Sequence, residues 1–110
     1  MIKHNYQKRY GNIKQYKIMC AIAHKSVHGQ CCVCLTKKSQ ELHHAKYGKD
    51  EIGKTVFPVC TDCHQYQCHS YENWIYDSKN PVWGNRNTDE FIRRLICGYQ
   101  ILYGGINHGV

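Results

Sequence analysis

Two closely spaced cysteine pairs constrain the fold of this chain more than any other feature of its sequence. Cys31 and Cys34 form one C-x2-C pair, Cys60 and Cys63 form the other, and 25 residues lie between the two pairs. Each tight C-x2-C turn presents two sulfur atoms to one ion, and two such turns complete a tetrahedral zinc shell. The sequence therefore predicts one structural Zn²⁺, with the chain between the pairs folded back as a hairpin.

Compartment and cysteine count decide whether these thiols bind metal or form disulfides. The chain has eight cysteines, but its first residues contain neither the apolar region nor the cleavage site of a secretory signal peptide. We therefore expect a cytoplasmic protein whose reduced, paired thiols bind metal. Cys32 can replace Cys31 as a ligand only if the turn geometry changes, so Cys32 is the weaker candidate. No apolar run approaches the ~20 residues of a membrane span, so we expect no membrane partner.

The chain is short and basic. With 110 residues, it should form one domain for which apolar burial alone gives only marginal stability, so a metal cross-link is expected. Fifteen Lys and Arg against eight Asp and Glu give a formal net charge of +7. Small basic domains commonly bind nucleic acid, because neutralising phosphates releases counterions. A solvated basic surface explains the charge equally well, and residues 1–12 are interpreted as a basic arm that either contacts DNA or is disordered.

Hydrophobic periodicity predicts an α+β fold. Apolar residues recur at helical spacing from Ile13 to about Val27, with Gly29 as the stop. Glu41–His44 and Thr55–Val59 are interpreted as two strands, and a short helix capped by Thr61 should follow the second cysteine pair.

A long apolar stripe near the C-terminus predicts a second main helix, over about residues 88–103. The run from Asn87 to Glu90 has the form of a capping box at its start. The pair Gly104-Gly105 is interpreted as its end.

Two adjacent histidines, His43 and His44, lie on the first predicted strand. Successive strand residues point to opposite faces, so one imidazole can face a metal while its neighbour faces a substrate. His64 directly follows the second cysteine pair and lies on the short predicted helix, one face of which it should share with Cys68. His69 is interpreted either as a supporting ligand or as a surface histidine.

These elements, in this order, resemble the zinc-knuckle type of HNH endonuclease. The residues that carry the resemblance are Cys31-x2-Cys34, the Glu41-Leu-His-His44 run with Tyr47, and the segment Val56-Phe-Pro-Val-Cys-Thr-Asp-Cys-His64, about a third of the chain. The resemblance implies a zinc-stapled ββα-metal core over about residues 31–70, flanked by N- and C-terminal helices in one nuclease domain of residues 13–110.

The resemblance also implies catalytic roles. His44 would be the general base, and His43 and His64 would bind a catalytic divalent ion such as Mg²⁺, Mn²⁺ or Ni²⁺. Imidazole suits deprotonation of water near neutral pH, and a metal suits the charge of a scissile phosphate. Thr55 stands where the family has an asparagine that orients the loop carrying the base, and a hydroxyl supplies only part of that hydrogen bonding. The sequence assigns no carboxylate to the metal, although Asp50, Glu51 and Asp62 lie nearby.

The implied substrate is DNA, with RNA as an alternative, and the implied products are a 5′ phosphate and a 3′ hydroxyl. One active site cuts one strand, so a double-strand break requires a homodimer or two visits, and the chain can also be a subunit of a larger complex. Candidate phosphate contacts are Lys46, Lys49, Lys54, Arg86, Arg93 and Arg94.

Three other functions were compared with the nuclease. A zinc-ribbon module that binds nucleic acid without cutting it explains the cysteines and the charge, but not the register of the three histidines. The C-x-x-C-H run ending at His64 matches a c-type haem attachment pattern, yet haem attachment normally needs export and leaves the first cysteine pair unexplained. A redox C-x-x-C site usually occurs in a βαβ context, which this sequence does not predict.

Overall fold

The computed structural model describes residues 13–75 and 84–108, and for residues 13, 84, 85 and 105–108 it describes only the backbone. Its elements are α1 (Ile13–Ser26), β1 (Glu41–His44), β2 (Lys46–Tyr47), β3 (Val56–Val59), α2 (Thr61–Cys63), a π-helical segment (His64–Cys68), β4 (Gly84–Asn85) and α3 (Asp89–His108). The predicted α+β class is confirmed. The predicted basic arm, residues 1–12, lies outside the described residues.

The predicted hairpin forms between β1 and β3. The strands are antiparallel, with Glu41 opposite Val59 and His44 opposite Val56. A second short ladder, not predicted from the sequence, pairs Lys46 of β2 with Asn85 of β4. This ladder brings the chain just before α3 back to the end of β1, next to the histidine doublet.

The core lies between the hairpin, the first cysteine pair and the helices. One apolar cluster includes the fully buried residues Val27, directly after α1, Phe57 and Val59 of β3, and Leu95 of α3. The hydroxyl of Tyr99 donates a hydrogen bond to Ser26 Oγ over 3.0 Å, which ties α3 to α1. None of the helices in the described parts of the chain combines the length and apolar character that a bilayer span requires.

The two main helices end differently from each other. Helix α1 ends at Ser26, shortly before the predicted stop at Gly29, which adopts a φ of 76° and donates its N–H to the His24 carbonyl over 2.8 Å. The predicted end of α3 is wrong, because the helix continues through Gly104-Gly105 to His108. Glycine ends a helix by adopting a left-handed φ, and Gly104 is not among the described glycines with positive φ.

The N-cap of α3 is Thr88, whose Oγ1 accepts a hydrogen bond from the Phe91 N–H over 3.2 Å. The capping box predicted to start at Asn87 is therefore wrong by one residue. Asn87 has no exposed surface, and its side chain is engaged elsewhere, at the histidines.

The helical turn after the second cysteine pair also differs from the prediction. Its N-cap is Cys60, whose Sγ accepts a hydrogen bond from the Cys63 N–H over 3.3 Å, and not Thr61. From His64 to Cys68 the turn is π-helical, so residues five apart, rather than four apart, lie one above the other. The face that His64 was predicted to share with Cys68 is therefore shared with His69, while Cys68 is buried in the core.

Candidate functional site

The four predicted zinc ligands form one cluster. The Sγ atoms of Cys31, Cys34, Cys60 and Cys63 all lie within 4.8 Å of one another. Sulfur atoms on a tetrahedral zinc ion, each about 2.3 Å from the metal, lie about 3.8 Å apart. The cluster therefore fits a metal such as zinc. Cys32 is buried but does not belong to the cluster, as the spacing predicted.

Backbone N–H groups point at three of these sulfur atoms. The N–H of Val33 donates to Cys31 Sγ, that of Lys37 to Cys34 Sγ and that of Cys63 to Cys60 Sγ, each over 3.3 Å. Donors aimed at sulfur favour the thiolate over the thiol. The turns are thus built to hold negative charge.

The cysteine pKa values show why the cluster needs a cation. Burial raises the pKa of Cys31 and of Cys63. Burial also raises the pKa of Cys34, but N–H donors from Lys37 and Thr36 outweigh it and lower that pKa to about 6. Several thiolates in a buried cluster repel one another unless a positive ion lies between them, so the cluster is suited to a metal.

A second cluster, separate from the four cysteines, consists of three histidines. One ring nitrogen each from His43, His64 and His69 lies within 4.8 Å of the other two, and the Nε2 atoms of His64 and His69 are 3.1 Å apart. Nitrogen ligands of a tetrahedral ion lie about 3.3 Å apart. Three imidazoles at this spacing can hold a divalent transition metal with little movement.

Burial disfavours the charged form of two of the three rings, His43 and His69. Burial lowers the pKa of His43 well below its ordinary value. Burial, with the nearby His64 and Arg86, lowers the pKa of His69 to about 4. Metal ligation requires the neutral imidazole, so both rings are ready to bind an ion. His43 is 1% exposed, whereas His64 is half-buried and His69 exposed, which leaves one side of the cluster accessible.

Glu41 is the carboxylate that the sequence left unassigned. His64 Nδ1–H donates to Glu41 Oε1 over 2.7 Å, so Nε2, the nitrogen facing His69, is the one left to bind a metal. A carboxylate behind a ligating histidine is a common arrangement in metal sites, since it fixes the ring and raises its basicity. Glu41 was missed because it contacts a residue 23 positions away; its only local signal is its place on the histidine strand.

We expect Glu41→Ala to weaken metal binding at the three histidines by about 10–100-fold, because the His64 ring loses the group that orients it. Calorimetric titration of zinc-loaded protein with Ni²⁺ measures this. Glu90→Ala, which removes an exposed carboxylate in the first turn of α3, is the matched control and should bind Ni²⁺ as the unaltered protein does. Equal affinities for Glu41→Ala and the control would contradict the assignment.

His44 points away from this cluster. Its side chain is 1% exposed, and its Nε2 lies 3.8 Å from Oδ1 of Asp50, which is 7% exposed. Thr55 fixes the loop that carries Asp50: its hydroxyl accepts from the Glu51 N–H over 2.8 Å and donates to the Lys49 carbonyl over 3.0 Å. The opposite orientations predicted for the two adjacent histidines are therefore observed.

Arg86 brings positive charge close to the three histidines. Its guanidinium lies 4.6 Å from the ring centre of Tyr47 and 4.9 Å from that of Trp74. The Trp74 ring in turn lies 4.5 Å from that of His69. Cation–π contacts on two sides hold the guanidinium in place, so this arginine is positioned beside the cluster.

The other basic residues predicted to contact phosphate are all exposed: Lys46, Lys49, Lys54, Arg93 and Arg94. Of the carboxylates considered from the sequence, Asp62 pairs with Lys37 at the cysteine cluster, 2.9 Å away, and is not part of the histidine cluster.

Two local features therefore position the histidines, the hairpin strand that carries His43 and the π-helical turn that aligns His64 with His69. Comparisons of this chain with models of protein families, with curated proteins and with solved structures gave no match.

Proposed function

We propose that this chain is a metal-dependent endonuclease of the HNH type, with a ββα-metal core, that nicks DNA by hydrolysing phosphodiester bonds. The observation that supports it most is the cluster of His43, His64 and His69, which is separate from the four cysteines and accessible on one side. Structural zinc sites have four protein ligands, whereas catalytic sites have three and an open position. The two clusters match this division of roles.

The three histidines would hold the catalytic divalent ion; of the ions expected from the sequence, Mn²⁺ and Ni²⁺ suit imidazole ligands better than Mg²⁺, which prefers oxygen. When bound, such an ion supplies positive charge to the scissile phosphate and to the departing 3′ oxygen. Glu41 keeps the His64 ring turned towards this position. Arg86, held beside His69 through Trp74, is the basic residue best situated to bind a phosphate oxygen of the substrate.

His44 is the proposed general base. A neutral imidazole can take a proton from water near pH 7, and the Asp50 carboxylate, 3.8 Å from Nε2, would stabilise the imidazolium that results. Thr55 would act by holding the loop that carries Asp50, in place of the asparagine of the HNH family. Water reaches His44 only if this loop opens or the ring turns, because the side chain is 1% exposed.

The burial of His44 favours one second candidate, a zinc-containing module that binds nucleic acid without cutting it. A formal charge of +7 and exposed lysines around the hairpin suit phosphate binding in either case. The two candidates differ only in whether the histidines perform chemistry.

Nicking of supercoiled plasmid DNA by zinc-loaded protein with added Mg²⁺, Mn²⁺ or Ni²⁺ tests the proposal. We expect His44→Ala to reduce the nicking rate by about 10²–10⁴-fold, the usual contribution of a positioned acid–base group, and His64→Ala, which removes a ligand of the ion, to reduce it as well. His28→Asn is the matched control, since His28 is exposed and has a φ of 57°, a conformation that asparagine tolerates. It should cut as the unaltered protein does.

Zinc content and DNA binding are measured on the same samples. Loss of nicking with retained zinc and retained binding supports the nuclease. Binding without nicking under every ion supports the non-cleaving module. Single-stranded RNA run in parallel distinguishes the substrates, and sedimentation of the protein with DNA shows whether the acting species is a monomer or a homodimer.

A further inference from the structure

We propose that Asn87 is a positioning residue for the three-histidine cluster: it holds the His43 ring in the tautomer protonated at Nε2, so that His43 binds the ion through Nδ1. This inference rests on the metal-binding part of the proposed function, not on DNA cleavage. Nothing in the sequence pattern of the histidines includes Asn87, which lies 44 residues beyond His43.

The orientation of the Asn87 amide is fixed by two backbone carbonyls. Asn87 Nδ2 donates to the Cys68 carbonyl over 2.7 Å and to the Asn73 carbonyl over 2.8 Å. A carbonyl oxygen can only accept, so the NH₂ group must face these two atoms. The opposite end of the amide, Oδ1, is thereby turned towards His43.

This orientation determines where the His43 proton lies. His43 Nε2 is 2.5 Å from Asn87 Oδ1, and an amide oxygen accepts but never donates. Nε2 must therefore carry the hydrogen. With the hydrogen on Nε2, Nδ1 is the nitrogen of this ring that can offer a lone pair to a metal.

Asn87 also joins the segments that supply the ligands. It is fully buried and links β1, which carries His43, to the C-terminal end of the π-helical segment, which His69 directly follows. Its own N–H donates to the Ala45 carbonyl over 3.2 Å. One side chain thus sets both the tautomer of the first ligand and its position relative to the other two.

Asn87 does for His43 what Glu41 does for His64. Glu41 accepts from His64 Nδ1–H and leaves Nε2 for the metal, whereas Asn87 accepts from His43 Nε2–H and leaves Nδ1. The ligand set is then mixed, with one Nδ1 from His43 and Nε2 from His64. A neutral amide acceptor raises ligand basicity less than a carboxylate does, so the two rings are supported unequally.

Nitrogen-15 NMR of the zinc-loaded, histidine-labelled protein tests the tautomer without any substitution. We expect the His43 resonances of the unaltered protein to show a protonated Nε2 and an unprotonated Nδ1. Added Ni²⁺ or Zn²⁺, in excess of the zinc at the cysteines, should perturb the Nδ1 resonance of His43 and the Nε2 resonance of His64. A His43 ring protonated at Nδ1 overturns the inference.

Calorimetric titration with Ni²⁺ tests the positioning role. We expect Asn87→Ala to bind Ni²⁺ at the histidine cluster about 10–100-fold more weakly, the usual cost of losing a group that orients a ligand. Asn73→Ala is the matched control: it removes the Asn73 amide, whose Nδ2 donates to the Gln67 carbonyl, and it retains the Asn73 backbone carbonyl that Asn87 uses. Unchanged zinc content at the cysteines shows that each variant is folded.

The outcomes separate this inference from the proposed function. If the unaltered protein binds Ni²⁺ at the histidines and Asn87→Ala binds it equally well, the role of Asn87 is wrong and the metal site stands. If the unaltered protein binds no ion beyond the structural zinc, the metal site fails, and the role of Asn87 fails with it. If metal binds as expected but DNA is not cut, only the nuclease proposal is overturned.

Discussion

Removal of the metal from the four-cysteine cluster is expected to unfold the protein. The two cysteine turns are separated by 25 residues in the sequence, and their thiols lie against the main core, where Cys31 and Cys60 are buried. Structural zinc contributes about 10–16 kcal/mol to the folding of zinc-finger peptides. Whole domains are stable by about 5–15 kcal/mol, so little stability should remain without the ion.

Circular dichroism with and without a chelator measures this effect, together with the variant Cys60→Ser. Both treatments should abolish the cooperative thermal transition. Cys97→Ser is the matched control, because Cys97 is an exposed cysteine outside the cluster, and it should keep both the transition and one zinc per chain. A chelated protein that melts at the same temperature as the zinc-loaded one would contradict the structural role of the cluster.

The parts of the fold that follow local rules were predictable from the sequence. The cysteine quartet follows from spacing, and its Sγ atoms do meet. Strand alternation placed the two histidines of the doublet on opposite sides, with His43 in the histidine cluster and His44 beside Asp50. In each case a short-range geometric rule determines where the side chain goes.

The parts of the site that were not predicted depend on tertiary contacts. A π-helical turn cannot be distinguished from an α-helical one by apolar spacing, so the pairing of His64 with His69 was left open. Asparagine is a residue type typical of helix N-caps. Only the folded chain shows that the Asn87 amide accepts a hydrogen bond from His43 instead. Sequence rules identify which residue types can ligate a metal or orient a ligand, whereas long-range hydrogen bonds determine which residues take these roles in the folded chain.

Helix α3 packs tightly on the first cysteine turn at Gly98. A β-carbon added there would lie 1.9 Å from the Cys32 carbonyl oxygen, 3.0 Å from its carbon and 3.4 Å from a methyl group of Leu35. The first two of these atoms belong to the backbone and cannot rotate away. Glycine therefore allows the helix to pack directly on the turn that holds two of the four zinc ligands.

Gly98→Ala is accordingly expected to destabilise the protein, although a helix intrinsically prefers alanine to glycine. Alanine is favoured over glycine by about 1 kcal/mol within a helix, but overpacking costs about 1–3 kcal/mol and sometimes more. A clash with backbone at this distance should exceed the gain, so we expect a net loss of about 2 kcal/mol, or roughly 8–16 °C in melting temperature. Thermal melts measure the sign of this stability change directly.

Cys97→Ala, at the neighbouring exposed position, lacks the clash and should melt near the unaltered protein. A Gly98→Ala protein more stable than this control would mean that α3 does not pack tightly on the cysteine turn. A lower melting temperature together with weaker zinc retention would show that this packing stabilises the metal cluster.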